Sequence, residues 1–436
     1  MNKEIKNLSG TANSRLLGVY PQKQEGLFMQ RIKVPGGRIS WQQWRKVIEV
    51  AKLYTPGCPL HITTRQDIEL HNAAESDLDA IQRGLGEVGL AILGGGGDTV
   101  RNITVCAGCG MCEESFDLMP LAQALEEQLK KIPAIFNLPR KFKISFSGCE
   151  KACAKPWIND MGFVAQKDGL FTVIGAGSLG AKPLAGILLY KDLPAGDIVP
   201  LTLAAVEFFE KEGDREKRTQ ARFRHVRERL GEQAFSAELE RRFGEVKKRQ
   251  MWPSVVIEKA EKKNRLLWRL QLPNGNISRH HALELADIGQ LNDAVLRINL
   301  EQGLELYGAE SFELGEELAA FVENPVIISC PGSATCPKGL ADCGATADKL
   351  RQKLKRSFTG DKCISISGCP NNCAQSAAAD IGLTGMLRKK DGKTVECYRL
   401  FTGGGNGRND KLAAPSEIVF ADDVPAVIEK LLEKGV

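Results

Sequence analysis

The chain carries the same cysteine-bearing turn twice, and this repetition restricts its fold more than any other feature. KISFSGCEKACAKP (143–156) and CISISGCPNNCAQS (363–376) each read as a short apolar strand, then Ser-Gly-Cys, three residues and a second Cys. Two further pairs of segments match in the same order along each half: LHITTRQDIELHNAAE (60–75) with LRINLEQGLELYGAES (296–311), and CAGCGMC (106–112) with CPGSATC (330–336). Three matching blocks in one order indicate two homologous halves.

Each half supplies a Cys-x5-Cys pair followed by a Cys-x3-Cys pair. These cysteines are Cys106, Cys112, Cys149 and Cys153 in the first half, and Cys330, Cys336, Cys369 and Cys373 in the second. Four thiolates from two segments are the usual ligands of a [4Fe–4S] cluster, whereas structural zinc sites favour tighter Cys-x2-Cys pairs. The spacing therefore predicts one [4Fe–4S] cluster in each half.

Cys109 is the alternative ligand in the first half. Within CAGCGMC it completes Cys-x2-Cys-x2-Cys, the start of a ferredoxin-type run. The residues that follow lack the expected Cys-Pro, and the match between the repeats favours Cys106 and Cys112. We interpret the remaining cysteines as small buried apolar residues: Cys58, Cys343, Cys363 and Cys397.

The thirteen cysteines also bear on where the protein works. The N-terminal MNKEIKNLSG has no apolar stretch, and the chain has no apolar run long enough to span a membrane, so we expect a cytoplasmic protein. In a reducing compartment, cysteines serve metal or redox chemistry more often than structural disulfides. A net charge of +5 is too small to indicate nucleic-acid binding.

The second-half motif, CPGSATC with SGCPNNCAQSAAADIGLTG, resembles the siroheme–[4Fe–4S] motif of sulfite and nitrite reductases. The resemblance extends to TTRQDIELH, VRNITVC and LPRKFK in the first half and to YRLFTGGG near the C-terminus. It implies siroheme at the junction of the halves, with Cys373 bridging the cluster to the siroheme iron and Asn371 contacting the cofactor. The first-half cluster departs from the single-cluster enzymes and implies an electron relay or support of a second, inactive tetrapyrrole.

The resemblance also implies an α/β (α+β) fold, built as a pseudo-twofold repeat of ferredoxin-like and siroheme/[4Fe–4S]-binding modules. Strand-like and helix-like stretches alternate within each half, as such a fold requires. A charged segment nearly free of Gly and Pro separates the halves and predicts a helical connector. We expect these boundaries: ferredoxin-like modules at 13–98 and 251–323, siroheme/[4Fe–4S] modules at 99–204 and 324–436, and the connector at 205–250.

The halves differ at their basic residues. In RKFKISFSG, strand alternation places Lys141 and Lys143 on one face, and an edge strand with solvated lysines would be the ordinary interpretation. The repeat argues against it, because the second half has lost every counterpart: Glu301, Pro325, Asp361 and Cys363 stand opposite Arg65, Arg101, Lys141 and Lys143. The resemblance implies that these four cations bind an oxyanion on the open face of the siroheme. It also implies that the two arginines contact the cofactor.

The sequence thus predicts a siroheme-dependent reductase that converts sulfite to sulfide in six electrons. Nitrite reduction to ammonia is the first alternative, because the two activities share these motifs. Two further alternatives are an oxygenase similar to precorrin-3B synthase and an iron–sulfur electron carrier without siroheme. The small oxyanion is the expected substrate, and electrons come from a separate protein, either a ferredoxin or a reductase subunit. The oligomeric state is left open.

Overall fold

The computed structural model describes residues 11–253, 255–260 and 264–435. The N-terminal decapeptide used to judge targeting lies outside these residues. The strands are β1 Val19–Pro21, β2 Leu27–Ile32, β3 Leu60–Ile62, β4 Ile68–Ala74, β5 Thr104–Val105, β6 Phe116–Asp117, β7 Ile144–Ser147, β8 Met161–Ala165, β9 Phe171–Gly175, β10 Ile187–Leu193, β11 Glu258–Lys259, β12 Arg265–Gln271, β13 Asn276–Ile277, β14 Val295–Ile298, β15 Gly303–Gly308, β16 Ile327–Ser329, β17 Ile364–Ser367, β18 Ile381–Lys390, β19 Lys393–Thr402 and β20 Ala414–Phe420.

The α-helices alternate with these strands. They are α1 Thr11–Leu16, α2 Trp41–Tyr54, α3 Leu78–Gly86, α4 Met119–Lys130, α5 Ile198–Glu212, α6 Phe223–Leu230, α7 Glu232–Lys247, α8 Arg279–Leu291, α9 Glu316–Ala319, α10 Cys343–Lys353, α11 Arg356–Thr359 and α12 Val424–Glu433. In the part of the chain that the structure describes, no helix combines the length and apolar character needed to cross a bilayer.

Each half contains one α/β sheet with the same strand pattern. The first has the order β10-β9-β8-β7-β5 and the second the order β16-β17-β18-β19-β20. In both, the strand that leads into the Cys-x3-Cys turn is second from one edge and parallel to its two neighbours, β7 between β5 and β8, and β17 between β16 and β18. Both strands are buried along their whole length, as parallel strands covered on both faces are, and in both of them serine alternates with apolar residues.

The two ferredoxin-like sheets are joined reciprocally. The first has the order β1-β2-β4-β3 and is extended by β13 of the second half, which pairs with β3. In return, Arg38 of the first half forms a bridge with Arg297 on β14. Helices α2 and α8 begin alike, with a serine whose side chain accepts a backbone N–H, Ser40 from Gln43 and Ser278 from His281.

Three large apolar cores hold the molecule together, and two smaller apolar clusters accompany them. One is shared by the two ferredoxin-like sheets and includes Trp44, whose indole N–H donates to the Ala282 carbonyl of the other half. The second lies in the α/β module of the second half. The third combines the first α/β module with α5, α6 and α7 and also includes Leu300 of the second half. The repeat of the sequence is thus a repeat of the structure, with one helical addition.

Candidate active site

A serine at the end of β7 and a serine at the end of β17 shape the turns that carry the second cysteine pair of each half. The Ser147 hydroxyl accepts the Ala154 N–H at 3.0 Å, and the Ser367 hydroxyl accepts the Ala374 N–H at 3.1 Å. Each bond spans the Cys-x3-Cys segment and closes it into a compact loop. The same device in both halves holds Cys149 and Cys153, and Cys369 and Cys373, in corresponding positions.

A glutamine in each half fixes the first cysteine of the Cys-x5-Cys pair. The Gln66 side chain accepts the Val105 N–H at 3.0 Å and donates to the Val105 carbonyl at 2.7 Å. Gln302 forms the same two-way bond with Ser329, at 2.9 Å in both directions. Val105 and Ser329 immediately precede Cys106 and Cys330. Both glutamines are buried and adopt left-handed backbone, with φ of 64° and 58°.

A glycine N–H and an additional cysteine lie beside that first sulfur in each half. Gly148 N–H donates to the Cys106 sulfur at 3.3 Å, and Gly368 N–H donates to the Cys330 sulfur at 3.1 Å. The Cys343 sulfur lies 3.9 Å from that of Cys330. In the first half the corresponding neighbour is Cys109, whose thiol donates to the Phe116 carbonyl and accepts the Leu118 N–H. Cys109 is thus engaged by backbone groups.

The eight motif cysteines fit iron–sulfur clusters better than zinc. Among the described residues, no three cysteine sulfurs lie within 4.8 Å of one another. Tetrahedral zinc with bonds of about 2.3 Å would require sulfur–sulfur separations of roughly 3.8 Å. The first sulfur of each set also receives a backbone N–H, the kind of bond that stabilises cluster thiolates. Asn371 lies beside Cys369, where it opposes the rise in the cysteine's pKa that burial causes.

The arginine-bearing turn of the first half lies against the cluster turn of the second. The Thr64 hydroxyl donates to the backbone carbonyl of Cys373 over 3.3 Å. Solvent reaches Cys373, yet the surrounding protein raises the pKa of its thiol, while the charges of Lys141 and Lys143 act in the opposite direction. Residues far apart in sequence thus converge on the cysteine that the resemblance assigns as the bridge.

The two arginines are held by backbone carbonyls. Arg65 donates to the carbonyls of Asn102 at 2.7 Å and Ile144 at 3.3 Å, and to the Asn159 side chain at 2.9 Å. Its Nε is buried without a hydrogen-bond partner, which leaves one donor for a ligand. Arg101 donates twice to the Gly97 carbonyl, at 3.1 and 2.8 Å. The glycine-rich run LGGGGD therefore serves to orient Arg101.

The two lysines are half-buried cations close to other cations. Burial, together with the charges of Arg101 and Arg222, lowers the pKa of Lys141 to about 7. The pKa of Lys143 is also far below its usual value, because of burial and the charges of Arg65 and Lys141. Within the described part of the chain, neither ammonium group forms an ion pair. An anion bound here would relieve the repulsion among these groups.

One detail differs from the predicted strand. β7 begins at Ile144, so Lys141 and Lys143 precede the strand instead of lying on it. The reason is that the Lys143 N–H donates to the Asp160 carboxylate at 2.8 Å and not to a neighbouring strand. The buried residues Phe142, Ile144 and Phe146 still alternate with the lysines, as the pattern requires.

The corresponding face of the first-half cysteine turn has mixed charge. Burial raises the pKa of the Cys153 thiol to about 11, and the nearby charges of Arg408 and Glu301 act on it in opposite directions. Arg408 and Glu301 pair with each other at 3.5 Å. Asp361, opposite Lys141 in the repeat, is exposed and pairs with Arg356 at 3.2 Å. The cation-rich face therefore belongs to the second-half cluster turn.

Several positioning residues were absent from the sequence predictions. They are Gln66 and Gln302 before the first cysteines, and Asp160 and Asp380, whose carboxylates accept the Lys143 and Cys363 N–H groups at 2.8 Å. A signal was available, because each residue is identical in the two repeats. Arg222 gave no such signal, since it lies in the connector, which has no counterpart.

Two models of known protein domains match the chain. The model of the nitrite and sulphite reductase 4Fe-4S domain matches residues 96–247 and 324–434. The model of the nitrite/sulfite reductase ferredoxin-like half domain matches residues 20–88. Among solved structures, that of Mycobacterium tuberculosis NirA protein has a TM-score of 0.81 at 20% identity, over 99% of this chain and 87% of that one. It confirms the predicted fold.

Relatives of known name are similar along nearly the whole chain. The assimilatory ferredoxin-dependent nitrite reductase of Haloferax mediterranei is 29% identical, over 95% of this chain and 81% of its own. Ferredoxin–nitrite reductases of Zea mays and Leptolyngbya laminosa are each 28% identical, over 96% of this chain and 81% and 88% of theirs. The chain belongs to the nitrite and sulfite reductase family, whose cofactors are siroheme and a [4Fe–4S] cluster. The predicted family, siroheme and a [4Fe–4S] cluster are confirmed, and the second cluster stays a prediction.

Proposed function

We propose that this family member reduces nitrite to ammonia, with electrons from a ferredoxin. The proposal puts nitrite ahead of sulfite, the first choice of the sequence prediction, because the curated relatives reported above are named nitrite reductases. The single observation that carries the proposed site is the convergence of Arg65, Arg101, Lys141 and Lys143 beside Cys373, where the second-half repeat has no matching cation.

We assign the cofactor ligands by motif. Cys330, Cys336, Cys369 and Cys373 hold the cluster that is coupled to siroheme, and Asn371 contacts the cofactor. Cys106, Cys112, Cys149 and Cys153 hold the second cluster. When bound, siroheme and cluster supply the electrons. The chain's own contribution is to bind and orient the oxyanion and to deliver protons to it.

The cationic side chains divide this contribution. Arg65 and Arg101 are fixed by carbonyl groups and cannot swing away, so they orient a small anion or the carboxylates of the cofactor. Reduction of nitrite to ammonia consumes protons and releases both oxygens as water. Lys141, with a pKa of about 7, can release a proton from Nζ and regain it at neutral pH. The charge on the departing oxygens is stabilised by the same ammonium groups.

Sulfite is the second candidate, and one observation favours it. Two ammonium groups and two guanidinium groups converge where nitrite would bring a single negative charge. Sulfite carries two negative charges above neutral pH and would neutralise more of this excess. The rates of nitrite and sulfite reduction, measured with one protein preparation, therefore decide between the two substrates.

The test begins with anaerobic purification and a visible spectrum. Siroheme gives strong Soret and red bands, whereas an iron–sulfur carrier without siroheme would give a broad shoulder. Turnover is then measured with nitrite and with sulfite, using an artificial reductant and, separately, reduced ferredoxin. A kcat/KM for nitrite above that for sulfite supports the proposal. The reverse ratio makes the protein a sulfite reductase, and siroheme bands without either activity favour the oxygenase alternative.

A further inference from the structure

Arg222 connects the helical segment between the halves to the candidate site. It immediately precedes α6 and is only 9% exposed. Its guanidinium group donates to the Asp160 carboxylate at 2.7 Å, and Asp160 itself is fully buried. A buried ion pair of this kind is expensive to desolvate and is weak evidence for stability alone. It therefore calls for a role beyond stability.

Asp160 in turn fixes the backbone of Lys143 from both sides. The Asp160 carboxylate accepts the Lys143 N–H at 2.8 Å, and the Asp160 N–H donates to the Lys143 carbonyl at 3.0 Å. The oxygen that binds Lys143 is the same Oδ2 that binds Arg222. Displacing the guanidinium group would thus leave the carboxylate free to turn and would loosen its hold on Lys143.

A second, apolar contact ties the same connector to the same segment. The ring of Phe142, between the two lysines, packs against Phe223 at 5.5 Å and against Phe209 at 5.7 Å. Phe223 is the next residue after Arg222, and Phe209 lies on α5. The connector therefore supports the back of the lysine segment while Lys141 and Lys143 extend from its other side.

The second half has the same aspartate contact, but the partner of the aspartate there is uncharged. Asp380 accepts the Cys363 N–H at 2.8 Å, and the remaining donor to its Oδ2 is the amide of Asn406 at 2.7 Å. In the place of Phe142 stands Lys362, which donates to the Gly435 carbonyl. A neutral amide thus suffices to hold the carboxylate in place. The arginine in the first half therefore supplies something more, namely positive charge.

We propose that Arg222 is a positioning residue of the anion pocket, which fixes Lys143 through Asp160 and compensates the negative charge of that buried carboxylate behind the four cations that face the oxyanion. This proposal rests on the proposed function for the identity of the pocket. The charge of Arg222 acts on Arg65, Lys141 and Lys143, so three of the four facing cations feel it. The connector, which the repeat lacks, is thereby part of the site.

Three substitutions in cofactor-loaded protein separate the effect of the Arg222 charge from the support that its side chain gives to the Lys143 segment. Arg222→Lys keeps the charge, Arg222→Gln keeps a donor without charge, and Arg222→Ala removes both. Arg227→Gln is the matched control, because Arg227 is also buried, on α6, but donates to the Ala185 carbonyl and faces other acidic residues. Nitrite binding is followed by the visible spectrum, and amide hydrogen exchange is followed in the peptide spanning 141–147.

We expect nitrite affinity to fall about tenfold in Arg222→Gln and to be restored within about threefold in Arg222→Lys. Arg222→Ala should in addition speed exchange in the 141–147 peptide, and Arg227→Gln should change neither measurement. Unchanged affinity in Arg222→Gln, or equal losses in the Arg222→Gln and Arg227→Gln proteins, would overturn the proposal. Binding and exchange need no turnover, so they decide the role of Arg222 even if nitrite is not the substrate that is reduced.

Discussion

Lys155 and Gln375 hold the same place in the two repeats, and the Lys155 ammonium group donates to the Gln375 side-chain oxygen over 2.8 Å. Each follows the last cysteine of its motif by two residues and adopts left-handed backbone, with φ of 57° and 69°. Two lysines here would repel each other, and a lysine with a glutamine does not. Across the whole site, the two repeats share their backbone conformation and differ in their side chains.

The bridging cysteine is the first target. Cys373→Ser should abolish the coupled cofactor centre, because a serine hydroxyl is a poor ligand for iron where a thiolate is required. Visible and electron paramagnetic resonance spectra of anaerobically prepared protein measure the loss. The control is Cys397→Ser on β19, whose buried thiol donates to the Met386 carbonyl, a bond that serine can replace. A Cys373→Ser protein with the parent spectrum and activity would refute the ligand assignment.

Two clusters per chain are expected from the two cysteine sets. Roughly eight acid-labile sulfides should be found per chain, four from each cubane, with the siroheme iron in addition to the cluster iron. Cys109→Ala should leave this number unchanged, because its thiol is bonded to backbone groups of Phe116 and Leu118. A reproducible value near four sulfides would mean that the first half holds no cluster.

The cations of the first half should matter more than their counterparts. Loss of one charged hydrogen bond to a buried anion costs about 1.5–3 kcal/mol, which is roughly ten- to hundredfold in binding or rate. Lys141→Met and Lys143→Met should show this loss in steady-state kinetics with full cofactor content. Arg65→Ala and Arg101→Ala should lose activity and some siroheme. Asp361→Ala is the comparison, and a loss as large as that of Lys141→Met would show two working faces.

Anion binding should depend on pH through Lys141. The pKa of this lysine is about 7 in the protein and is lowered by burial, Arg101, Arg222 and Arg140. A bound anion favours the charged form, so binding takes up a proton above pH 7. The contribution of Lys141 to nitrite affinity should therefore be constant below the pKa and fall above it, by up to about tenfold per pH unit. Titrations of the Lys141→Met protein should show a flatter profile, and an identical profile would exclude Lys141 as the titrating group.

The two-way hydrogen bonds of Gln66 and Gln302 should contribute to stability. Gln302→Ala leaves the buried N–H and carbonyl of Ser329 without their partner, at about 1–3 kcal/mol for each group. Chemical unfolding and the retention of sulfide on dilution measure the effect on the Cys330 segment. Gln290→Ala, on the exposed end of α8, is the control. It removes an exposed hydrogen bond from the Arg45 side chain and should stay within about 0.5 kcal/mol of the parent.

The sequence predicted the family, the fold and the cofactors because these depend on residues that recur in both halves. The cation pocket was predicted as well, from four positions at which the halves differ, and its roles stay predictions. The contact of Arg222 with Asp160 could not be predicted from the sequence, because it joins residues 62 positions apart. In a charge-rich helical connector, nothing in the local pattern distinguishes one buried arginine from its exposed neighbours. The start of β7 was missed for a related reason, since a side-chain carboxylate replaces a strand as the partner of Lys143.

The reciprocal pairing of β13 with β3, and of Arg38 with Arg297, has a consequence for the history and the engineering of the chain. Exchange of equivalent elements across a twofold relation is how two identical subunits form a closed dimer. Two copies joined end to end would keep that exchange, and each could then lose what the other retained, as the basic residues show. Either half produced alone would present an unpaired sheet edge. Two separately expressed halves should therefore be soluble only when they are produced together.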